Sequence, residues 1–181
     1  IENLGDGYGG NPTHVPHSTS QIQSLELIDF DNDGDLDILT SSYFPISVSW
    51  YDNDGTGNFT EHTIITFAFN FTTYAVGSDI DLDGDMDVIC ASRVSSSIAL
   101  IINEGDNNFS ELSIINSSIG QPERLLMEDM NSDSYPDILY TASEDGHVKW
   151  IENNGDSGFE EYHTIDSEMP GAFSLSVADV N

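Results

Sequence analysis

Aspartate residues recur in short, dense clusters along this chain. The first cluster, residues 29–37, carries a carboxylate at every second position. Carboxylates packed this closely repel one another at neutral pH, and a divalent cation relieves that repulsion. Ca²⁺ suits such a loop better than Mg²⁺, because it accepts about six to eight oxygen ligands in a flexible geometry. The cluster therefore predicts a calcium-binding loop.

Each position of the loop has its own part in this prediction. Side chains at positions 1, 3 and 5 can converge on one point, and glycine at position 6 permits a sharp turn with positive φ. Position 7 offers its backbone carbonyl, and the carboxylate at position 9 closes the coordination shell. In the first loop the ligand positions are Asp29, Asp31, Asp33, Asp35 and Asp37.

The same cluster returns at a constant step of 50 residues. The loop at 79–87 repeats it in full. The loop at 129–137 has serine in place of glycine, one asparagine and a tyrosine at position 7, so we expect weaker binding there. A fourth copy, 179–181, is truncated. The predicted ligands are Asp79, Asp81, Asp83, Asp85 and Asp87 in the second loop, and Asp129, Asn131, Asp133, Tyr135 and Asp137 in the third.

The start of the pattern is shared with EF-hand loops, which lie between two helices and end in a glutamate at position 12. Position 12 here is Thr40 or Cys90, and both flanks have the composition of strands. The pattern therefore favours calcium loops between β-strands over EF-hands. An unmetallated polar turn is the remaining alternative.

The elements that must position these loops are predicted to be short antiparallel strands. A second motif, residues 50–59, returns at 150–159 in the same register, with a weaker copy at 100–109. Alternating apolar residues and Gly/Asn/Asp turns indicate about four strands in each repeat. A solenoid of parallel strands usually has shorter coils, whereas a repeat of this size is typical of a propeller blade. The predicted fold is all-β: a β-propeller of four-stranded antiparallel blades.

The length of 181 residues corresponds to about 3.6 blades of 50 residues, fewer than the roughly 4 to 8 of known propellers. We therefore expect residues 1–181 to be one partial propeller, in which residues 1–28 hold the end of a blade and the first strand of the next. The remaining blades of a larger ring, with about seven blades in all, would then be its partners. A four-bladed ring closed by the two partial blades is the alternative.

The charge balance excludes several classes of partner. The chain has 33 acidic and 3 basic side chains, a formal net charge of -30. It therefore cannot build a cationic surface for nucleic acid or for anionic lipid. No apolar stretch is long enough for a membrane-spanning helix, so we expect no membrane insertion.

The motif Asp-x-Asp-x-Asp-Gly-x-x-Asp, followed by Ile38-Leu39 or Val88-Ile89, resembles the FG-GAP/VCBS repeat family. That family includes the calcium-binding propeller blades of integrin α-subunits. Combined with the motif at 50–59, the pattern is similar to secreted repeat proteins common in Bacteroidetes-type bacteria, which often use the type IX secretion route. The resemblance implies a calcium-binding propeller located extracellularly or at the cell surface.

No combination of residues predicts catalysis. A G-x-S-x-G nucleophile signature is absent. The histidines share no position across the repeats, which favours solvated or strand-surface side chains for His14, His17, His62, His147 and His163.

The favoured function is a non-catalytic, calcium-binding extracellular module for adhesion or for recognition of a protein or glycan. One alternative is the propeller portion of a larger secreted enzyme acting on polysaccharides. Another is a structural repeat region of a type IX-secreted surface protein.

Three segments break the repeat and are candidate ligand contacts: residues 43–45, 67–71 and 121–124. The second segment is aromatic and uncharged, and it is the first choice for an interaction edge. A covered connection between blades explains its composition as well. Cys90 lies in an apolar run and is predicted to be a buried, unreactive thiol.

Overall fold

The computed structural model describes residues 15, 17–18, 20–66, 72–106, 108–144, 146–155, 158–169, 171 and 174–178. Within these residues, twelve strands form three four-stranded antiparallel sheets. Blade 1 contains β1 (Ser20–Ile28), β2 (Asp37–Phe44), β3 (Ile46–Asn53) and β4 (Phe59–Thr66). Blade 2 contains β5 (Thr72–Ser78), β6 (Asp87–Ser92), β7 (Ser97–Ile101) and β8 (Ser113–Asn116). Blade 3 contains β9 (Pro122–Glu128), β10 (Asp137–Ala142), β11 (His147–Asn153) and β12 (Phe159–Asp166).

Each aspartate-rich loop joins the first and second strands of its blade, and the strand register next to the loop is the same in all three. The flanking pairs are Ile28 with Asp37, Ser78 with Asp87, and Glu128 with Asp137. The expected all-β fold with four-stranded antiparallel sheets is confirmed. Closure of a ring and the number of blades stay predictions.

Several sequence predictions fall on residues outside the described part of the chain. These are residues 1–14 of the N-terminal segment, the aromatic segment 67–71 and the truncated loop 179–181. Among the residues that are described, none forms a helix long and apolar enough to cross a membrane.

The second strand of the middle blade is buried on both of its faces. Val88 and Cys90 belong to the apolar cluster shared with blade 1, whereas Ile89 and Ala91 belong to the cluster shared with blade 3. A strand enclosed in this way carries a continuous apolar run instead of an alternating pattern. Each fully buried Val or Ile side chain contributes about 1.5–3 kcal/mol, so packing against both neighbours stabilises blade 2.

The outer face of blade 1 is covered only in part: Thr40 and Tyr51 are buried there, but the first strand is not. Leu25 and Leu27 of β1 are 55% and 60% exposed. Leu125 of β9 stands 100 residues after Leu25 and is fully buried in the cluster between blades 2 and 3. The same position of the repeat is therefore buried where another blade packs on it and exposed where none does.

Cys90 is predicted to resist alkylation in the folded protein. It is 1% exposed, and burial raises the pKa of its thiol to about 12, so the reactive thiolate is scarce at pH 8. Intact-protein mass spectrometry should show no iodoacetamide adduct in native protein and one adduct in guanidinium chloride. Rapid labelling of the native protein would contradict the buried position.

Candidate metal loops

A buried aspartate at position 9 holds each loop to the blade. One of its carboxylate oxygens accepts a hydrogen bond from the backbone N–H at position 2 of the loop. The other accepts from the N–H of an asparagine at the end of the third strand or, in blade 2, two residues beyond it. The three aspartates are 0% exposed. The donors are Phe30 (2.9 Å) and Asn53 (2.8 Å) for Asp37, Ile80 (2.8 Å) and Asn103 (2.8 Å) for Asp87, and Met130 (2.9 Å) and Asn153 (2.8 Å) for Asp137.

The asparagines at the ends of the third strands were not among the predicted site residues. Their side-chain amides donate to the carbonyl at position 8 of the loop in the same blade. The pairs are Asn53 with Leu36 (3.0 Å), Asn103 with Met86 (3.4 Å) and Asn153 with Pro136 (3.2 Å). The signal that could have identified them is their own step of 50 residues, in phase with the loops.

The aspartate at position 1 has one satisfied and one unsatisfied oxygen in the first two loops. Oδ2 of Asp29 accepts from Gly34 N–H, and Oδ2 of Asp79 accepts from Gly84 N–H, both at 3.1 Å. The Oδ1 atoms of Asp29 and Asp79 are buried and have no hydrogen-bond partner among the described residues. A buried polar atom without a partner costs about 1–3 kcal/mol, and more when it is charged. Both Oδ1 atoms are therefore candidates for coordinating a cation.

Three carboxylates converge in each of these two loops. Ligand atoms of Asp29, Asp31 and Asp37 all lie within 4.8 Å of one another, and the equivalent aspartates of the second loop do the same. Two oxygens bound to one Ca²⁺ lie up to about 5 Å apart, because each Ca–O distance is about 2.3–2.6 Å. The residues present therefore fit a calcium ion. The second group is Asp79, Asp81 and Asp87.

Positions 5 and 7 lie outside these three-residue groups. Oδ1 of Asp33 accepts the backbone N–H of Asp35 at 2.8 Å, and Asp83 holds Asp85 in the same way at 2.9 Å. The Asp35 side chain lies against Gly55, at the turn between β3 and β4. Any contribution of Asp35 to a cation would accordingly come from its backbone carbonyl.

The electrostatics of the second loop also favour a bound cation. Burial raises the pKa of Asp87 to about 6, although the N–H groups of Asn103 and Ile80 lower it, and the carboxylates of Asp81 and Asp83 raise it further. Burial is also the first cause of the raised pKa of Asp81. These shifts mean that the ionised loop is held at a free-energy cost, which positive charge would offset.

The third loop has a different internal arrangement. Oδ1 of Asp129 accepts from the N–H groups of Ser132 (2.7 Å) and Asp133 (3.1 Å), and Oδ2 accepts from Ser134 N–H (2.8 Å). The amide of Asn131 donates to Oδ2 of Asp133 at 2.9 Å. Tyr135 occupies position 7, and its ring lies against Gly155 as Asp35 lies against Gly55.

Two of the five histidines occupy equivalent places in the structure. His62 pairs across the sheet with Trp50 and His163 with Trp150, and each imidazole stacks on its indole with centroids 4.6 and 4.1 Å apart. In the sequence the two histidines are 101 residues apart and share no repeat position, whereas in the structure they are equivalent strand-surface residues. A register shift between β11 and β12 displaces His163 by one residue in the sequence alignment of the repeats.

The other two candidate ligand segments differ in accessibility. Tyr43 and Phe44, at the turn from β2 to β3, are 38% and 69% exposed. In the segment 121–124, Glu123 forms an ion pair with Arg93 of blade 2 at 3.2 Å, and the Arg124 guanidinium lies 4.5 Å from the Tyr74 ring centroid. The segment 121–124 thus connects blades 2 and 3, and residues 43–45 are the more accessible segment.

The backbone at position 6 of the loops is left-handed, a conformation that favours glycine. We therefore expect opposite effects on stability from removing this glycine in the second loop and from introducing it in the third. Gly84 has φ of +101° and Ser134 has +82°. Nothing lies within 4 Å of a Cβ placed on Gly84, so backbone strain alone should make Gly84→Ala lower the free energy of unfolding by about 1–2 kcal/mol. Ser134→Gly should raise it by up to about 1 kcal/mol. Urea denaturation of both variants gives the values, and changes of the same sign would contradict the prediction.

Comparisons with known proteins agree with this fold. No curated protein is significantly similar in sequence. The structure is similar to that of an Agrocybe aegerita lectin, solved to explain its specific recognition of non-reducing terminal N-acetylglucosamine, with a TM-score of 0.60 and 18% sequence identity. The match covers 86% of this chain and 42% of the lectin chain, and at this identity it supports a β-propeller-like fold alone. A family profile described as FG-GAP-like repeat matches residues 79–140 and 129–181, which together are more than half of the chain. The chain therefore belongs to the FG-GAP-like repeat family.

Proposed function

We propose that this chain is a calcium-stabilised recognition module of a secreted or cell-surface protein, without a catalytic role of its own. The observation that carries the proposal is the pair of converging carboxylate groups, in which Oδ1 of Asp29 and of Asp79 is buried without a partner among the described residues. The donor set consists of hard carboxylate oxygens, which suits Ca²⁺.

The aspartates would act by holding strands together. The carboxylates at positions 1, 3 and 9 stand at the junction of the first and second strands, and the position-9 side chain also reaches the end of the third strand. A bound Ca²⁺ neutralises their repulsion, and each site adds RT ln(1 + [L]/Kd) to the stability. Sites with Kd of about 10⁻⁴–10⁻³ M are typical of extracellular modules, which supports a location outside the cell.

Exposed apolar side chains on the outer faces of blades 1 and 3 support further blades. Leu25 and Leu27 are exposed on blade 1. On blade 3, a groove of about 790 Å³ includes Val148, Ile165 and Met169 in its lining. Apolar side chains exposed side by side on one face of a sheet are typical of an interaction site. A ring of about seven blades would cover both faces, and the chain's match to 42% of the lectin's length supports a complete ring of roughly twice this size.

The proposed ligand is a glycan or a protein bound at the ends of the strands away from the metal loops. β2 begins at Asp37 beside the loop and ends at Phe44, about 23 Å away for strand geometry. Exposed Tyr43 and Phe44 supply aromatic faces there. The lectin similarity supports a glycan. Because of this distance, calcium would act on recognition through rigidity and not through direct contact with the ligand.

Calcium should raise the melting temperature of the protein. At [Ca²⁺] of 100 Kd each occupied site adds about 2.7 kcal/mol, which corresponds to several degrees in differential scanning calorimetry. Asp29→Asn and Asp79→Asn should each remove part of the calcium-dependent shift. Asp106→Asn, at an exposed aspartate outside the loops, is the matched control and should keep the full shift. Identical melting in CaCl₂ and in EGTA would refute calcium binding.

Glycan-array binding should depend on Phe44. Loss of one aromatic stacking surface is worth about 0.5–1.5 kcal/mol, so Phe44→Ala should weaken binding about 2- to 12-fold. Leu36→Ala removes a comparably exposed apolar side chain (56%) at the metal end of the blade and should leave binding unchanged. Equal losses in the two variants would rule out the assigned surface, and an array without any bound glycan would favour a protein ligand.

A further inference from the structure

We infer that the third loop needs no cation, because the side-chain amide of Asn131 takes the cation's place between its carboxylates. The inference rests on the proposed calcium binding by the first two loops and separates the third loop from them. It departs from the expectation of a weaker calcium site at 129–137.

The first observation is the state of the aspartate at position 1. In the third loop, Oδ1 of Asp129 accepts two backbone N–H groups, at 2.7 and 3.1 Å. The same atom of Asp29 and of Asp79 is buried without a partner in the described structure. A cation in the third loop would have to compete with hydrogen bonds that already satisfy Asp129, whereas a cation in the other loops would relieve an unsatisfied charge.

The second observation is the position of the Asn131 amide between two carboxylates. Its Nδ2 donates to Oδ2 of Asp133 at 2.9 Å and to Oε1 of Glu152, on the third strand, at 3.1 Å. A primary amide supplies two N–H donors, and both are used here. Its Oδ1 accepts the N–H of Asp133 at 3.0 Å. The Asn131 side chain therefore presents an N–H group where a cation would require an oxygen.

The repeats provide an internal comparison for this bridge. One hundred residues earlier, the same two positions are Asp31 and Asp52, both carboxylates. An ionised carboxylate has no hydrogen to donate, so Asp31 cannot bridge to Asp52 as the Asn131 amide bridges to Glu152. Blade 1 thus has a repulsive pair at the place where blade 3 has a hydrogen bond. Replacing one carboxylate by an amide removes one negative charge from the loop. The amide N–H groups then stabilise the remaining carboxylates by hydrogen bonding.

The third observation is that Glu152 is itself held in place from the other side. Its Oε2 lies 3.1 Å from Nε2 of His163, which stacks on Trp150 with ring centroids 4.1 Å apart. The carboxylate that receives the Asn131 amide is therefore oriented by the strand that follows. Blade 3 consequently has a continuous hydrogen-bonded network from β12 to the loop and is expected to stay ordered at low calcium.

Hydrogen–deuterium exchange on the whole protein, in CaCl₂ and in EGTA, tests the inference loop by loop. Calcium should increase the protection of amides in 29–37 and 79–87 and leave those in 129–137 unchanged. Protection that rises with calcium in all three loops would overturn the inference and keep the proposed function. A lack of response in every loop would overturn the proposed function, and with it the contrast on which the inference depends.

Asn131→Asp is the decisive variant. It restores the carboxylate found in the other loops, so equilibrium dialysis with ⁴⁵Ca²⁺ should show one more ion per chain than in the unmodified protein, and protection of 129–137 should become calcium-dependent. Asn131→Ser removes the amide without adding charge and should lower protection of 129–137 equally in CaCl₂ and in EGTA. If Asn131→Asp gains neither the ion nor the calcium response, the role assigned to Asn131 is wrong.

Discussion

A buried carboxylate at the start of each second strand organises the repeat. Asp37, Asp87 and Asp137 are completely buried, and each accepts one backbone N–H from its loop and one from the end of the third strand. Hydrogen bonds to a charged group contribute about 1.5–3 kcal/mol each. Without them, the free-energy cost of burying the carboxylate charge would be too large for a stable fold. The loop cannot slip relative to the sheet without losing both bonds. The other loop carboxylates are therefore gathered around a fixed point.

Contacts between successive blades extend this organisation along the stack. The side chain of Asn32 in the first loop donates to the Gly84 carbonyl of the second loop at 2.7 Å. The Asn153 amide donates to the Ile80 carbonyl of blade 2 at 2.9 Å, in addition to its bond within blade 3. The position that holds Asn32 in the first loop is Leu82 in the second, 48% exposed. The copies of the repeat therefore have the same arrangement of strands and loop, and they differ in the hydrogen bonds that connect each loop to the neighbouring blade.

Much of this organisation could be predicted from the sequence because each element repeats. The step of 50 residues located the three loops, and the motifs around Trp50 and Trp150 located the third strands. The structural equivalence of His62 and His163 could not be recognised from the 50-residue step, because a register shift moves His163 by one residue. The step of 50 residues also could not show what the asparagines do, because it identifies equivalent residues and not their hydrogen-bond partners. These asparagines are Asn53, Asn103 and Asn153.

The sequence by itself determined the repeat, the all-β character and the identity of the acidic clusters, because strand periodicity, turn residues and local charge density are all properties of neighbouring residues. Only the tertiary structure decided which carboxylates converge and which are already satisfied. Asp29 and Asp129 are the same residue type at the same loop position, yet one keeps an unpaired buried oxygen and the other accepts three N–H groups. That difference depends on the path of the loop backbone, which places the N–H groups of Ser132 and Asp133 on Oδ1 of Asp129 and is defined only once the blade has folded.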